Sequence, residues 1–413
     1  MPRRDGSGKT FPRKDNNMPQ LSSRITTLNE GGSDGWEVFY RARALVAAGE
    51  PVTELTIGEH DIGTDPAILQ AIHDAARGGH TGYAMVPGVS ALREAVASRI
   101  TQRTGVPTTP DNVLITPGGQ AALFAAHMAV LTPGDAALYI DPYYATYPGT
   151  IRAASGRAVP VATRAADAFL PRGEAIQAAA RDTNAKSLLV NTPNNPTGMV
   201  YPQETLKEIA QACTDNDLWL ISDEVYDTQV WQGAHVSPRS LPGMVDRTLI
   251  VGSMSKSHAM TGSRAGWLVG PTEAIDRLID LATATTYGVP GYIQDGALFA
   301  LEQGAELEEE IAEPFRRRRD LALSMIEAQS TVKAIPAQGA MYLMLDIRAT
   351  GLSGRDFAEA LLDDHRIAVM PGESFGKSAA GHVRVALTVA DDRLAEALHT
   401  LCSFAETKAR AHA

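Results

Sequence analysis

The feature that most constrains the fold is an alternation of strand-like and helix-like segments between residues 116 and 270. Short apolar runs suited to buried strands alternate there with stretches whose apolar residues recur at helical spacing. The strand-like runs span residues 136–140, 187–191, 218–222, 248–252 and 265–269, and helices are predicted to begin at residues 119–120 and to cover 204–216. This order predicts a mostly parallel sheet covered by helices. Functional groups in such a sheet collect at the carboxyl ends of the strands.

The pattern changes after residue 294. A long charged helix is predicted over residues 307–329, with a kink at Pro314, and its run of four arginines at 316–319 is interpreted as a solvated face. Beyond it the sequence predicts strands at 341–347, 367–370 and 382–387 and a helix at 355–364. These elements indicate a second, smaller α+β domain.

Composition narrows the class of protein. The 413 residues include 48 acidic and 37 basic side chains, a formal charge of −11, which disfavours nucleic acid as a partner. The longest strongly apolar stretch, residues 121–131, is interrupted by His127 and is too short to cross a bilayer, so no membrane association is predicted. Cys213 and Cys402 are isolated thiols, which favours a reducing, cytoplasmic location. Residues 1–17 are basic and polar and are predicted to be a disordered tail.

Chemistry is indicated first by the segment that follows the strand at 248–252. Ser253, Ser255 and Lys256 come directly after this strand, and Arg264 follows eight residues later. A lysine among small hydroxyl residues suits Schiff-base chemistry, and the serines and the arginine suit a phosphate group. A surface loop with an ordinary solvated lysine is the alternative, and this segment alone does not decide between them.

A second group of polar residues lies around the strand at 218–222. Asp223 ends this strand, and a buried carboxylate is costly unless a cation pairs with it, so a protonated pyridine nitrogen is a suitable partner. Tyr226 and Asn195 could donate hydrogen bonds to a phenolate oxygen on the same ring. Taken alone, residues 194–198 favour a plain turn. Upstream, Gly118, Gly119 and Gln120 begin a helix whose free N–H groups could hold a phosphate.

Taken together, these segments resemble a class I/II aminotransferase, a fold type I pyridoxal 5′-phosphate enzyme, from about residue 38 to the C-terminus. The likeness is carried by the order and spacing of short motifs at residues 55–59, 83, 88–95, 118–120, 141–144, 194–198, 223–226, 253–256, 264–267 and 382–386. It implies an α/β fold with a mostly parallel, seven-stranded type of sheet in a large domain, and a smaller α+β domain. We expect an N-terminal arm and part of the small domain at 18–60, the large cofactor-binding domain at 61–295, and the small C-terminal domain at 296–413.

The resemblance also implies roles for single residues. Lys256 would carry the cofactor as a Schiff base, Asp223 would keep the pyridine nitrogen protonated, and Asn195 and Tyr226 would bind the ring hydroxyl oxygen. Tyr144 would stack on the ring. The phosphate would be surrounded by Gly118, Gly119, Gln120, Ser253, Ser255 and Arg264, with Tyr83 reaching it from a partner subunit. Arg384 would bind the substrate α-carboxylate, assisted by Asn195 and by the backbone of Gly58.

The implied activity is ping-pong transfer of an amino group between an L-amino acid and a 2-oxo acid, in a homodimer. One alternative is a pyridoxal phosphate-dependent lyase acting at the β- or γ-position of an amino acid, because the same residues would serve it. A catalytically silent ligand-binding protein on this scaffold is a second alternative. His127, His365 and His382 show no ligand spacing, so no metal site is predicted.

Two observations concern the substrate. His60, Asp61 and Ile62 stand where the family usually has Pro-Asp-Phe, and Ser263 precedes Arg264 where a larger residue is common. Residues 282–294, from which dicarboxylate-specific relatives often supply a second cation, contain no lysine or arginine but include Tyr287 and Tyr292. This favours a donor with a neutral, apolar or aromatic side chain. Glutamate with 2-oxoglutarate stays open as one substrate pair, because Arg41, Arg43 or His60 could approach the pocket.

Overall fold

The computed structural model describes residues 19–29 and 35–412, so the tail predicted at residues 1–17 lies outside the described residues. The helices are α1 (Ser23–Thr26), α2 (Glu37–Ala47), α3 (Pro66–Arg77), α4 (Ser90–Thr104), α5 (Gly119–Val130), α6 (Tyr147–Ala153), α7 (Gly173–Thr183), α8 (Gln203–Asp215), α9 (Met254–Ser257), α10 (Thr272–Ala284), α11 (Gly291–Glu302), α12 (Ala305–Glu327), α13 (Gly354–His365) and α14 (Asp391–His412). The strands are β1 (Thr53–Leu55), β2 (Val113–Thr116), β3 (Ala136–Asp141), β4 (Arg157–Ala162), β5 (Ser187–Asn191), β6 (Trp219–Asp223), β7 (Thr248–Ser253), β8 (Gly266–Val269), β9 (Lys333–Ala334), β10 (Tyr342–Asp346), β11 (Ile367–Pro371) and β12 (His382–Ala386).

Seven strands form the larger sheet, in the order β2-β8-β7-β6-β5-β3-β4. Adjacent strands from β7 to β4 run parallel, whereas β8 is antiparallel to both β7 and β2. Every residue of β3, β5 and β7 is buried, as expected for strands covered by helices on both faces. The mostly parallel seven-stranded sheet predicted from the sequence is therefore confirmed.

The register of this sheet brings polar residues together at one edge. Asn191 at the end of β5 lies opposite Asp223 at the end of β6, and Asp223 lies opposite Val251 of β7. Ser253 then ends β7, and its side chain caps α9 by accepting a hydrogen bond from the Ser255 N–H at 3.0 Å. Since α9 contains Lys256, the cap fixes where that lysine leaves the sheet.

The smaller sheet has five strands in the order β1-β11-β12-β10-β9. Its strand β1 comes from the N-terminal part of the chain and pairs in parallel with β11, while β12 is antiparallel to both β11 and β10. Residues 56–61, which follow β1, are therefore held beside a sheet whose other strands lie some 300 residues later in the sequence.

The interpretation of residues 316–319 as a solvated helix face was wrong for two of the four arginines. Arg318 and Arg319, on α12, are only 5% and 7% exposed. Arg318 donates to Asp61 Oδ2 at 2.7 Å and to the Leu387 carbonyl at 3.1 Å, and Arg319 donates to the Ala337 carbonyl at 2.8 Å. These partners are distant in sequence, so α12 joins the segment after β1 to the segment after β12.

Candidate active site

One cavity lies where β5, β6 and β7 end, and it also includes the first residues of α5 and residues of β10 and β12. Most of the site residues selected from the sequence line this cavity: Gly58, Gly119, Gln120, Tyr144, Asn195, Asp223, Tyr226, Ser253, Ser255, Lys256, Arg264 and Arg384. Both sheets and the segment after β1 contribute to it. The fold thus brings together residues as far apart in the sequence as Gly58 and Arg384.

Lys256 is the amine of the cavity. Its Nζ donates a hydrogen bond to the carbonyl oxygen of Gly58. Burial lowers the pKa of this amine to about 8, an effect that the nearby charge of Glu59 opposes and that Arg384 and Arg264 reinforce. The lowered pKa gives this amine a larger uncharged fraction near neutral pH than an ordinary lysine has, and the uncharged form is the one that attacks a carbonyl carbon.

Asp223 is a buried carboxylate in the wall of the same cavity. The Tyr147 hydroxyl donates to its Oδ2 at 2.7 Å, and the Val225 N–H donates to its Oδ1 at 3.3 Å. Burial raises the pKa of this carboxyl to about 6 despite the two hydrogen bonds. Within the described residues Asp223 forms no ion pair, so its environment is short of a positive charge.

Arg384 is a buried cation of the same cavity, and it is 1% exposed. It lies over the rings of Tyr342 and Phe375, with its guanidinium carbon 4.3 Å from each ring centre. Its Nη1 donates to Asn195 Oδ1 at 2.8 Å, and its Nη2 donates to the Thr56 carbonyl. Two aromatic faces and two acceptors fix the orientation of the guanidinium, a planar fork suited to a carboxylate.

A cluster of anion-binding groups lies at the start of α5. The Oγ atoms of Ser253 and Ser255 are 2.9 Å apart, and no side chain caps the N-terminus of α5. Gly118 has a φ of +78°, and a Cβ atom there would lie 2.3 Å from Nη2 of Arg264. Glycine is therefore required for the arginine to approach the end of the helix. Helix N–H groups, two hydroxyls and a guanidinium form a suitable set for a phosphate.

The cavity fits the cofactor that the sequence resemblance implied. Asp223 is a buried carboxylate without an ion pair, and a pyridine nitrogen that carries a proton would supply the missing cation. Lys256 supplies an amine with which the aldehyde of the cofactor would form a Schiff base. Arg264 donates to two backbone carbonyls and forms no ion pair within the described part of the chain, which leaves its charge available to a phosphate.

Two of the predicted residues do not line the cavity. Gly118 lies immediately behind it, against Arg264. Tyr83 is 92% exposed and packs edge-on against Tyr287, with ring centres 5.1 Å apart. Its predicted role requires a second chain, so its position in one chain leaves that prediction untested.

Sequence reasoning missed several residues of the site. The Tyr342 hydroxyl lies 3.0 Å from that of Tyr226, and Asn191 accepts a hydrogen bond from the Asn195 N–H at 2.7 Å. The further residues of the lining are Trp36, Ile57, Glu59, Leu123, Tyr147, Val225 and Thr261. Asn191 ends a predicted strand, a signal that could have identified it. Tyr147 and Tyr342 gave none, because their contacts join different parts of the chain.

One residue that departs from the family pattern, His60, lies close to Lys256. His60 is buried and packs edge-on against Phe315, with ring centres 5.1 Å apart. Burial, and secondarily the charge of Lys256, lowers the pKa of His60 to about 4, so the ring is neutral. Asp61 pairs with Arg318. His60 and Asp61 thus join the segment after β1 to α12, and neither lines the cavity.

Two kinds of feature are absent from residues 19–29 and 35–412. No helix there is both long enough and apolar enough to span a membrane. No group of three or more histidine, cysteine, aspartate or glutamate side chains in the same residues is arranged to hold a metal ion.

Comparisons with known proteins agree with this geometry. The family model for "Aminotransferase class I and II" matches residues 50–401. The chain is 42% identical over 366 residues to an arginine–pyruvate transaminase of Pseudomonas aeruginosa, covering 89% of this chain and 93% of that protein. It is 36% identical over 385 residues to an aspartate/prephenate aminotransferase of Thermus thermophilus, covering 92% and 97%. A solved aspartate aminotransferase of Thermus thermophilus, a single mutant, superposes with a TM-score of 0.87 at 35% identity, covering 94% of this chain and all of that one.

Proposed function

The chain belongs to the class I and II aminotransferases, enzymes of fold type I that depend on pyridoxal 5′-phosphate, and we propose that Lys256, Asp223 and Arg384 are the centre of its reaction. The chain is an aminotransferase, which moves an amino group between an amino acid and a 2-oxo acid in two half-reactions. The two relatives named above are both aminotransferases, so they give the lyase alternative no support. The observation that carries the residue assignment is that the amine, the buried carboxylate and the buried guanidinium line one cavity.

The cofactor, when bound, supplies an aldehyde that condenses with amines and a ring that withdraws electrons. Lys256 would hold it through Nζ, and the Asp223 carboxylate would hold a proton on the ring nitrogen. Tyr226, and the Nδ2 of Asn195 whose Oδ1 accepts from Arg384, would donate to the ring hydroxyl oxygen. Tyr144 would lie against the ring face. Gly119, Gln120, Ser253, Ser255 and Arg264 would hold the phosphate, with Gly118 giving the arginine its space.

The chain's own residues then account for proton movement. Arg384 and the Gly58 backbone would fix the substrate α-carboxylate, which orients the α-carbon toward Lys256. Nζ of Lys256, once free, would remove the α-proton near neutral pH, because its pKa is lowered. The same nitrogen would then return this proton to the cofactor carbon that is bonded to the substrate nitrogen. Asp223 would keep a negative charge next to the ring nitrogen, which favours the withdrawal of electrons from the α-carbon.

The test of this proposal is chemical labelling followed by single turnovers. Borohydride reduction of the holoenzyme should attach the pyridoxyl group to the peptide that contains Lys256. A label on Lys186 or Lys207 instead would contradict the assignment. An amino acid alone should bleach the cofactor absorbance, and a 2-oxo acid should then restore it. Release of ammonia and a 2-oxo acid without the need for a second oxo acid would indicate a lyase.

We further propose a cytoplasmic homodimer. Tyr83, Met85 and Tyr287 are 92%, 69% and 53% exposed, an unusual set of large apolar side chains for a surface that stays in water. A partner chain that covers this surface would also bring Tyr83 to the partner's phosphate site. Both cysteines are free, which suits a reducing compartment.

The amino donor has to be argued from this chain's own residues, because the names of the two relatives point to different substrates, arginine and pyruvate in one and aspartate and prephenate in the other. The cations of the described lining are Lys256, Arg264 and Arg384, and each has a role above. A distal carboxylate would therefore lack a partner in this chain, which supports the earlier prediction against dicarboxylates.

A further inference from the structure

Two tyrosine hydroxyls meet in the cavity, and the proposed reaction uses only one of them. Tyr226 follows β6 of the larger sheet, and Tyr342 begins β10 of the smaller sheet. Their Oη atoms are 3.0 Å apart, and their rings lie edge-on with centres 5.9 Å apart. Both residues are 3% exposed, and within the described part of the chain each hydroxyl has the other as its sole hydrogen-bond partner. The role of Tyr342 is therefore still to be assigned.

Backbone contacts hold the two tyrosines in this arrangement. The Ala340 N–H donates to the Gln229 carbonyl at 2.8 Å, and the indole N–H of Trp231 donates to the Ala340 carbonyl at 2.9 Å. A Cβ atom at Gly339 would lie 2.6 Å from the Gln229 carbonyl oxygen, so this close approach requires glycine. Contacts a few residues after the first tyrosine and two residues before the second thus fix the pair of hydroxyls.

The surroundings of the pair favour Tyr342 as the donor. The guanidinium carbon of Arg384 lies 4.3 Å from the centre of the Tyr342 ring, and a positive charge there draws electron density away from the hydroxyl. The same hydroxyl packs against Gly58, where a Cβ atom would clash with it. Burial raises the pKa of the Tyr226 hydroxyl well above its ordinary value, so Tyr226 keeps a proton that it can donate onward.

We propose that Tyr342 is a positioning residue that acts through Tyr226. Its hydroxyl donates to Oη of Tyr226, and this leaves the Tyr226 O–H proton for the ring hydroxyl oxygen of the cofactor. An oxygen that accepts one hydrogen bond donates a stronger one, so Tyr342 strengthens the bond from Tyr226 to the cofactor. This inference rests on the proposed function, which assigns Tyr226 to the ring hydroxyl oxygen.

The experiment follows the cofactor absorbance of the holoenzyme as a function of pH. The midpoint of the absorbance change reports the proton on the nitrogen that joins Lys256 to the cofactor. Negative charge on the ring oxygen stabilises that proton, and a hydrogen-bond donor to the oxygen weakens the effect, so loss of a donor should raise the midpoint. We expect Tyr226→Phe to raise the midpoint by about one pH unit and Tyr342→Phe by about 0.3 unit, because cooperativity is a fraction of a whole bond.

The other groups that influence this nitrogen stay the same in every variant, so they do not contribute to the differences. The charged groups are Glu59, Arg384, Arg264 and Asp223, and the neutral ring of His60 is also close to Lys256.

A double variant decides whether Tyr342 acts through Tyr226. Tyr226→Phe combined with Tyr342→Phe should have the midpoint of Tyr226→Phe alone, because no hydroxyl is left to receive the bond from residue 342. Tyr201→Phe is the control, since it removes a buried hydroxyl outside the cavity, and it should leave the midpoint at the wild-type value.

The possible outcomes separate this inference from the proposed function. A midpoint that moves in Tyr226→Phe but not in Tyr342→Phe would overturn the inference and leave the proposed function intact, and a lower melting temperature in Tyr342→Phe would then show a merely structural role. Shifts that add in the double variant would also overturn it, because Tyr342 would then act on the cofactor without Tyr226. An unchanged midpoint in Tyr226→Phe would contradict the role that the proposed function gives to Tyr226 as well.

Discussion

At the scale of single residues, two buried aspartates show how similar environments can serve different purposes. Asp141 and Asp223 each end a parallel strand, and burial raises the pKa of each carboxyl to about 6. Asp223 lines the cavity. Asp141 lies outside the cavity, where its Oδ1 accepts a hydrogen bond from the Ser378 N–H at 3.3 Å. A perturbed pKa alone therefore does not identify a catalytic group, and position decides between the two.

The pair gives a matched test of the role of Asp223. Asp223→Asn should lower kcat by roughly two to three orders of magnitude, because the ring loses the charge that favours electron withdrawal. Asp141→Asn should leave kcat close to that of the wild type. The melting temperature of each apo-protein should not fall, since a buried carboxylate that is costly to ionise has been removed. Near-normal turnover in Asp223→Asn would refute the assigned role.

His127 carries the clearest prediction for stability. It is fully buried on α5, neither ring nitrogen has a hydrogen-bond partner in the described residues, and burial lowers its pKa to about 4. The unfolded chain therefore binds a proton below about pH 6.5 that the folded chain does not, so this residue lowers the free energy of unfolding as pH falls from about 6.5 toward 4.

Replacing His127 tests this assignment. His127→Leu should raise the free energy of unfolding by about 1 kcal/mol or more at pH 7, because two unpartnered polar atoms are removed. The gain should be larger at pH 5, where the wild-type histidine is protonated only after unfolding. Urea midpoints of both proteins at the two pH values provide the measurement. His399→Leu, at an exposed position of α14, is the control, and a gain that does not depend on pH would show that His127 is not the titrating group.

At the scale of elements, the sequence predicted which segments form strands and helices better than how they pair. Strands β5 and β12 were predicted at 187–191 and 382–387 and are observed at Ser187–Asn191 and His382–Ala386. An apolar run indicates that a strand is buried, but a strand can be equally buried whether it runs parallel or antiparallel to its neighbours. The antiparallel orientation of β8 was therefore not predictable. The buried Arg318 was missed for a related reason, since its partner Asp61 lies 257 residues away in the sequence.

Helices α4 and α12 are joined by a buried ionic cluster that gives an element-scale prediction. Glu308 of α12, 5% exposed, pairs with Arg99 of α4 and with Arg103 at 2.9 Å, and both arginines also pair with Asp227. Glu308→Gln should lower the free energy of unfolding by about 3 kcal/mol, because two arginines would then share one carboxylate. Chemical unfolding of the holoenzyme would measure this change in the free energy of unfolding. Glu309→Gln, its exposed neighbour, should change stability little, and equal effects would show that the cluster contributes nothing specific.

At the scale of the whole molecule, the order of short motifs was sufficient to predict the family and most of the cavity. Glu59, Trp36 and Tyr342 were missed because they reach the cavity only when the segment after β1, the start of α2 and strand β10 fold against the larger sheet. The domain boundaries at residues 61 and 295 stay a prediction. They are supported by the larger sheet, whose strands all lie between Val113 and Val269.

A dimer that contains two different variants tests the predicted homodimer more directly than a measurement of its mass. Tyr83 is 92% exposed, and its proposed partner is the phosphate site of the other chain. In a mixed dimer of Lys256→Ala and Tyr83→Phe chains, the site that keeps Lys256 receives its tyrosine from the Lys256→Ala chain, so that one site is complete. If Tyr83 acted within its own chain, no site would be complete.

The two variants should therefore be unfolded together, refolded, and assayed at a cofactor concentration that leaves the Tyr83→Phe dimer largely unloaded. Random pairing makes half of the dimers mixed, and each mixed dimer has one complete site out of two. The mixture should then recover about a quarter of wild-type activity, although each variant alone has little. Sedimentation at the assay concentration checks that dimers form. Recovery no greater than the sum of the separate variants, with dimers present, would mean that Tyr83 does not complete its neighbour's site.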